Sequence, residues 1–280
     1  MAEFELDRSQ IRRSFERAAV GYDAAAGLQQ EVCGTLLERL EWINFSPKVV
    51  LDLGTGTGQG VVQLRKQYPK AQLIAFDLAE SMLKRTSKRA GWFRKPGLLC
   101  GDARRLPLAD NSVDLIFSSL TIQWCSEDLV ALFSEFARVL KPAGLLMFTT
   151  FGMDTLRQLR EAWVAVDEQV HVNRFVDMHD IGDALLAAGF KDPVMDVERH
   201  LREFGSVTEV MRSIKAMGAH NVATQRARGL MGRQKLQRLQ EAYPCSEAGR
   251  FAVDYEVVFG MGWMPEVEPL DGGVEVLLRR

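Results

Sequence analysis

The sequence predicts an α/β fold in which a largely parallel sheet is covered by helices on both faces. Three observations point there. The run Val49-Val50-Leu51-Asp52-Leu53 is apolar apart from one carboxylate, as in a strand buried on both faces, and it opens directly onto Gly54-Thr55-Gly56-Thr57-Gly58. A second run, Leu73-Ile74-Ala75-Phe76, ends in Asp77, 19 residues after Gly58, which leaves room for one helix between the two strands. Three more apolar runs follow, separated by helical patterns, and five βα units in that order imply parallel strands.

Composition narrows the class. A chain of 280 residues with 47% hydrophobic and 26% charged content is that of a globular protein, long enough for one large α/β domain with an elaboration or for two small ones. The net charge of −2 argues against non-specific nucleic-acid binding. Cys33, Cys100, Cys125 and Cys245 are far apart and form no C-x-x-C pair, so they read as reduced thiols rather than a disulfide frame or a metal site. No apolar run is long enough to span a bilayer, and Glu3, Glu5 and Asp7 are unlike a signal peptide. The expected compartment is the cytoplasm, and no metal is expected.

Taken in order, residues 7–43 read as two helices, with apolar stripes Ile11, Phe15, Ala18, Ala19 and Leu28, Val32, Leu36, Leu37, Leu40. The break between them carries Tyr22. It is either part of a helical cap packed on the sheet or a lid that lays an aromatic face over a ligand; such a face attracts a cation. The glycine turn leads into a helix from Gln59, and 79–90 form a basic amphipathic helix. Leu98–Ala103 is a short third strand bearing Asp102, and Ser112–Ser119 is the fourth. Ser126–Leu140 is a helix opened by Ser126-x-Asp128 and closed at Lys141-Pro142-Ala143-Gly144, before a fifth strand at 145–151. Beyond it come helices at 154–170 and 177–188, strands at 194–204 and 251–263, and an insertion with helices at 207–218 and 232–243. Met211 to Gln240 contains no Asp or Glu, yet holds Arg212, Lys215, Arg226, Arg228, Arg233, Lys235 and Arg238. This is either a solvated helical surface or a docking face for an acidic partner.

The glycine turn indicates the ligand. Gln59 interrupts the G-x-G-x-x-G dinucleotide fingerprint, and no Lys follows the glycines until Lys66, which excludes a phosphate loop. A carboxylate just before the glycines suits a cationic ligand better than a pyrophosphate. Asp52-x-Gly54-x-Gly56-x-Gly58 resembles the first motif of class I S-adenosylmethionine (SAM) methyltransferases. Ligands of doubly wound sheets sit at the carboxyl ends of strands. Asp77 is thus placed for ribose hydroxyls, and Asp102, with the Ala103 amide beside it, for the adenine amine; Asp102 as a plain turn residue is the alternative. Thr55, Leu78, Met82, Ser119 and Tyr22 complete the expected cofactor set.

More specific residues lie further along. Ser119-Leu120-Thr121-Ile122-Gln123-Trp124-Cys125, Phe148-Thr149-Thr150, Ala162-Trp163-x-x-Val166-Asp167-Glu168, Asn173-Arg174-Phe175, Met211-Arg212-Ser213-Ile214-Lys215 and Leu236-Gln237-Arg238-Leu239 together resemble the malonyl-acyl-carrier-protein O-methyltransferases of biotin synthesis. The resemblance runs from about Gln10 to Gly262; only the tail beyond is longer than the family leads one to expect. It implies a Rossmann-like class I methyltransferase sheet of seven strands, the last antiparallel and inserted beside the fifth. It also implies a single domain, divided into an N-terminal helical cap or lid (1–46), a SAM-binding core (47–151) and a helical docking insertion (205–249). The implied reaction is methyl transfer from SAM to the free carboxylate of malonyl-acyl carrier protein, with malonyl-CoA as an alternative thioester. A carboxylate is ionised at neutral pH, so no general base is needed. What is needed is a cation to orient it. Arg174 is the first choice, because a guanidinium can bind a carboxylate through two parallel bonds, and Gln123 and Trp124 are expected to line the transfer site. His171 and Lys215 are weaker candidates, Asn173 is expected on the substrate side beside Arg174, and Arg226, Arg228, Arg233 and Lys235 are expected to receive the acidic carrier. Two other readings stay open. One is a methyltransferase for a small free acid such as trans-aconitate; the other is a SAM-dependent protein arginine hydroxylase acting as an assembly factor.

Overall fold

The computed structural model describes residues 6–92, 94–216 and 232–266. Strands β1 (Val49–Leu53), β2 (Gln72–Asp77), β3 (Gly97–Cys100), β4 (Val113–Ser118), β5 (Leu140–Phe151), β6 (Lys191–Phe204) and β7 (Phe251–Trp263) form one sheet. Their order is β3-β2-β1-β4-β5-β7-β6. β1 pairs in parallel with β2 and β4, β2 with β3, and β4 with β5. β7 runs antiparallel between β5 and β6, with Thr149 opposite Phe259 and Val197 opposite Val258. The expected seven-stranded sheet with an antiparallel seventh strand beside the fifth is therefore present. Strand order reverses between β1 and β4, which places a crevice at their carboxyl ends.

Alternation along the strands feeds two cores. Val50, Leu115, Phe117 and Met147 face α3 (Gly27–Glu41) and α4 (Gln59–Gln67), where Val32, Leu36, Leu40 and Leu64 are buried. Leu51, Leu53, Ile116 and Phe148 face the opposite layer, made by α6 (Leu129–Val139) and α8 (Met178–Ala187) through Phe133, Phe136, Ile181 and Leu185. Asp128 and Asp177 cap these last two helices, accepting from the amides of Ala131 and His179. Among the described residues no helix is long and apolar enough to cross a membrane.

Several boundaries differ from the sequence expectation. The cap holds three helices rather than two, because the break at Tyr22 is itself one turn: α1 (Arg8–Ala18), α2 (Tyr22–Ala25) and then α3. β3 stops at Cys100, so Asp102 lies on the loop beyond it. β5 begins at once after α6, because Leu140 already pairs with Val113; the register shifts before Leu115 pairs with Leu145, and Ala143 takes a positive φ of 56°. The helix expected at 154–170 is only α7 (Arg157–Val164). It starts after a left-handed Leu156 (φ 60°), while Arg160 caps the carbonyls of Met153 and Thr155. In the insertion, α9 (Val207–Ala216) and α10 (Arg233–Ala242) match the expected helices, and the chain between them lies outside the described residues.

Candidate active site

The loop after β1 is folded by its own backbone. The amides of Gly54 and Thr55 both donate to the Phe76 carbonyl at the end of β2 (2.8 and 3.0 Å). Gly54, Gly56 and Gly58 all adopt positive φ (73°, 55° and 85°), a region open to glycine at little cost. Two of them are also forced by close approach. A Cβ on Gly54 would lie 1.9 Å from the Thr121 hydroxyl, and one on Gly58 would lie 2.9 Å from the Thr86 Cα in α5 (Glu80–Arg89). Gly56 is different: its Cβ would project into open space, with the Tyr22 ring 3.9 Å away as its nearest neighbour. That space is a cradle for a ligand lying against the main chain.

Two cavities meet at this loop, sharing Tyr22, Gln29, Gly54, Gly56 and Ser119. The larger encloses about 810 Å³ including its open mouth, within the range of small-molecule and cofactor sites. Asp77, Leu78, Met82, Asp102 and Ala103 line one side of it, and Gln123, Trp124 and Phe151 another. The smaller cavity is lined by Asp52, Thr55, Thr57 and Cys33. Asp52, Gly54, Thr55, Gly56, Asp77, Leu78, Met82, Asp102, Ala103, Ser119 and Tyr22, expected around the cofactor, are thus brought together. Gly58 stands just behind them, at the N-terminus of α4.

The electrostatics of this place are unusual. Asp52 is 4% exposed; its carboxylate accepts from the Thr55 hydroxyl (2.7 Å) and the Val61 amide. Asp77 accepts from the amides of Gly56 (2.9 Å) and Ala79 (2.8 Å). Burial pushes Asp52 up to about 7 and Asp77 up to about 6, and the Asp77 charge raises Asp52 further. No cationic side chain hydrogen-bonds to either among the described residues. Two buried carboxylates without a counter-ion fit a cationic ligand, and SAM carries both a sulfonium and an ammonium. The Tyr22 phenol and the Cys33 thiol are both pushed up, chiefly by burial and, next, by Asp77 and Asp52 respectively. Neither can act as a base at neutral pH.

Asp102 is held on its loop. It accepts from the Arg104 amide (3.0 Å) and pairs with the Arg104 guanidinium (2.7 Å). Burial pushes its carboxyl up, but these bonds and the Arg8 charge bring it below the usual range. Gln123 donates to the Leu120 carbonyl (2.6 Å) and accepts from the Thr150 hydroxyl (3.2 Å), which commits much of its amide to the turn after β4. Trp124 packs edge-on against Phe15, with ring centroids 5.5 Å apart.

The cap supplies residues that the sequence reading did not place in the site. Arg8, Ile11, Phe15 and Gln29 all line the larger cavity. For Ile11 and Phe15 the sequence signal was an apolar stripe, which says that a face is covered but not what it covers; for Arg8 and Gln29 there was none. The cap is tied down by polar contacts as well. Glu16 accepts from the amides of Glu80 (2.8 Å) and Ser81 (3.0 Å) at the start of α5 and from the Ser81 hydroxyl. Asp23 accepts from the Thr57 hydroxyl (2.6 Å) and pairs with Arg89.

The expected substrate residues fare differently. Arg174 is exposed and does not line either cavity. In this irregular segment Val172 and Asn173 are both buried while Arg174 points outward; its neighbour Phe175 packs against Phe151, which does line the cavity (centroids 5.6 Å apart). Asn173, at 7% exposure, offers little surface for docking. His171 stacks on Trp163 (3.6 Å) and bonds to Asp167 (2.7 Å), and Lys235 pairs with the same carboxylate (2.8 Å). The Lys235 bond, with that of His171, holds Asp167 well below the usual carboxylate range. His171 and Lys235 are therefore joined through Asp167, which ties the segment after α7 to α10, although Lys235 itself stays exposed. Lys215 and Arg233 are exposed on α9 and α10, and Arg226 and Arg228 lie outside the described residues.

Comparison with known proteins agrees with this geometry. Residues 51–148 match the family model described as a methyltransferase domain. The chain is 48% identical, over 98% of its length and 96% of the relative's, to a malonyl-[acyl-carrier protein] O-methyltransferase of Laribacter hongkongensis. It is also 48% identical to the protein of that name from Gallionella capsiferriformans, over 95% of this chain and 93% of the relative. Among solved structures, the YcgJ protein of Bacillus subtilis shares the fold with a TM-score of 0.58 at 16% identity, covering 84% of this chain and 99% of its own. With nearly full-length similarity of this degree, and a class I fold whose strand-end crevice suits SAM, the chain belongs to the malonyl-[acyl-carrier protein] O-methyltransferase family.

Proposed function

We propose that the protein transfers the methyl group of SAM to the free carboxylate of a malonyl thioester carried on acyl carrier protein, as its relatives' name implies. The observation that carries this reading is a cavity whose described lining offers no imidazole or amine base, and whose carboxylates are already engaged, Asp77 by two backbone amides and Asp102 by Arg104. Among the described residues neither histidine nor lysine lines it, and its Tyr22 phenol and Cys125 thiol are pushed up rather than down. A hydroxyl or amine acceptor would have to lose a proton to such a base. A malonyl carboxylate, with an ordinary pKa of roughly 4, has already lost it.

When bound, SAM supplies a methyl activated on a sulfonium. The chain's own residues bind and orient. Asp77 would take the ribose hydroxyls and Asp102 the adenine amine, while ionised Asp52 and the Tyr22 ring give the positive end of the cofactor a favourable field. Ile11, Phe15 and Trp124 keep water out, which strengthens these interactions and strips the acceptor of its hydration shell. Arg174 lies outside both cavities, next to Phe175, which packs on Phe151, and would have to swing inward to grip one malonyl oxygen and leave the other free to attack. Its lack of a hydrogen bond or ion pair among the described residues leaves it available for this. The methyl ester formed would mask the charged end of the malonyl group, in keeping with a role in biotin synthesis. The exposed cations of α9 and α10 would orient the acidic carrier, chiefly by speeding encounter.

A labelled-methyl assay offering malonyl-carrier protein, malonyl-pantetheine and trans-aconitate side by side tests the reading. We expect strong preference for the carrier-bound thioester, reduced by salt and by Arg233→Glu, with malonyl-pantetheine insensitive to both. Equal turnover of free trans-aconitate would refute it.

A further inference from the structure

Glu127, just before α6, is remote in sequence from both the cap and the loop after β3, yet it joins them. One of its oxygens accepts from the Leu6 amide (2.8 Å), and the other from Arg8 Nη2 (2.9 Å) and Arg104 Nη1 (3.2 Å). Arg104 turns its remaining donors onto Asp102, and Arg8 gives its second arm to the Trp124 carbonyl (2.6 Å). The side chains of Arg8 and Glu127 are 20% and 24% exposed, so the contact is only partly screened. A continuous chain therefore runs from the cap helix α1 through Glu127 and Arg104 to the carboxylate at the adenine end of the cavity.

We propose that Arg8, Glu127 and Arg104 are positioning residues for adenine recognition: Glu127 fixes the Arg104 fork that aims Asp102, and Arg8 makes that aim depend on the cap being closed. The Arg104 fork touches both Asp102 oxygens, Nε at 3.1 and 3.2 Å and Nη2 at 2.7 Å; freed of Glu127, Nη1 could also turn onto the carboxylate and take the lone pair that the adenine amine needs. With Glu127 in place, one arm is anchored elsewhere and the fork is fixed. Closure of α1 and recognition of the base then become one event, so that an open cap holds cofactor and product weakly.

This inference rests on the proposed role of Asp102, and the experiment separates the two. Binding of S-adenosylhomocysteine is measured by calorimetry beside that of the same thioether bearing unsubstituted purine in place of adenine. One hydrogen bond to a charged acceptor corresponds to a preference for adenine of about tenfold or more in the wild type. Glu127→Gln keeps the size of the side chain and removes its charge; we expect it to cut that preference at least threefold. Arg8→Ala should do likewise, with much of the preference restored by Arg8→Lys. Thermal unfolding of each variant confirms that it is folded. A wild type without preference for adenine would overturn the Asp102 role and this inference with it. A wild-type preference that survives unchanged in Glu127→Gln, whatever the absolute affinities, would overturn the inference alone and leave Asp102 standing.

Discussion

Asp52 ionises only at a cost to the fold, and replacing it by asparagine should reveal that cost. The side chain is 4% exposed, and burial lifts its pKa from an ordinary 3.8 to about 7. Between those values the folded chain holds a proton that the unfolded chain has released, so stability falls as pH rises, by about 1.4 kcal/mol per pH unit, and levels off above about 7. The accumulated penalty at pH 8 is of order 4 kcal/mol. Asparagine stands in for the protonated acid: its oxygen can accept from the Val61 amide while its NH2 donates to the Thr55 hydroxyl. Asp52→Asn should therefore unfold later than the wild type at pH 8 when neither holds cofactor, and the gap should widen by about 2–3 kcal/mol between pH 5 and pH 8. For a chain of this size that is a Tm difference growing by roughly 4–8 °C, measurable by differential scanning calorimetry. The same variant should bind SAM more weakly, having lost the charge that faces it. A variant less stable than wild type at pH 8, or a gap that does not change with pH, would refute the assignment of Asp52 as an uncompensated buried carboxylate.

Further expectations follow from the glycine loop and the acceptor side. Gly58→Ala combines a left-handed backbone with a contact of 2.9 Å to the Thr86 Cα, and should destabilise the protein by about 3 kcal/mol in urea titration. Gly34→Ala, inside α3 with nothing within 4 Å of the new methyl, should stabilise it by up to about 1 kcal/mol. Arg174→Ala should raise KM for the malonyl acceptor about tenfold or more while leaving KM for SAM within a factor of two, with partial recovery in Arg174→Lys. Steady-state kinetics with each substrate varied in turn would check this; an equal rise in both constants would argue for a structural role instead.

Much of the sheet was legible because buried parallel strands leave continuous apolar runs and the antiparallel β7 leaves an alternating one: β1, β2, β4 and β7 lie within a residue or so of where these patterns put them. The cofactor side was legible for a related reason. Backbone that must bend at Gly54 and Gly58 against Thr121 and Thr86 leaves few residue choices, and the carboxylates sit at strand ends. Contacts between distant segments were not legible. Nothing near Arg8 announces Glu127, and nothing near His171 announces that Asp167 will bind both it and Lys235. Arg174 illustrates a further limit. Its neighbours fit a binding motif, but whether an arginine faces a cavity depends on the local backbone of an irregular segment, which sequence period does not determine. The shortened α7 has the same origin: Leu156 turns left-handed and delays the helix, and no glycine or proline marks the spot.

The central claim is that the malonyl carboxylate itself is the methyl acceptor. The most direct test is intact-mass spectrometry of malonyl-acyl carrier protein after incubation with the enzyme and SAM, before and after treatment with a carboxyl esterase. The account predicts a gain of one methyl group on the malonyl moiety, removed by the esterase and absent when acetyl-carrier protein, which has no free carboxylate, is offered instead. A methyl group that appears equally on the acetyl form, or that resists ester cleavage, would contradict it.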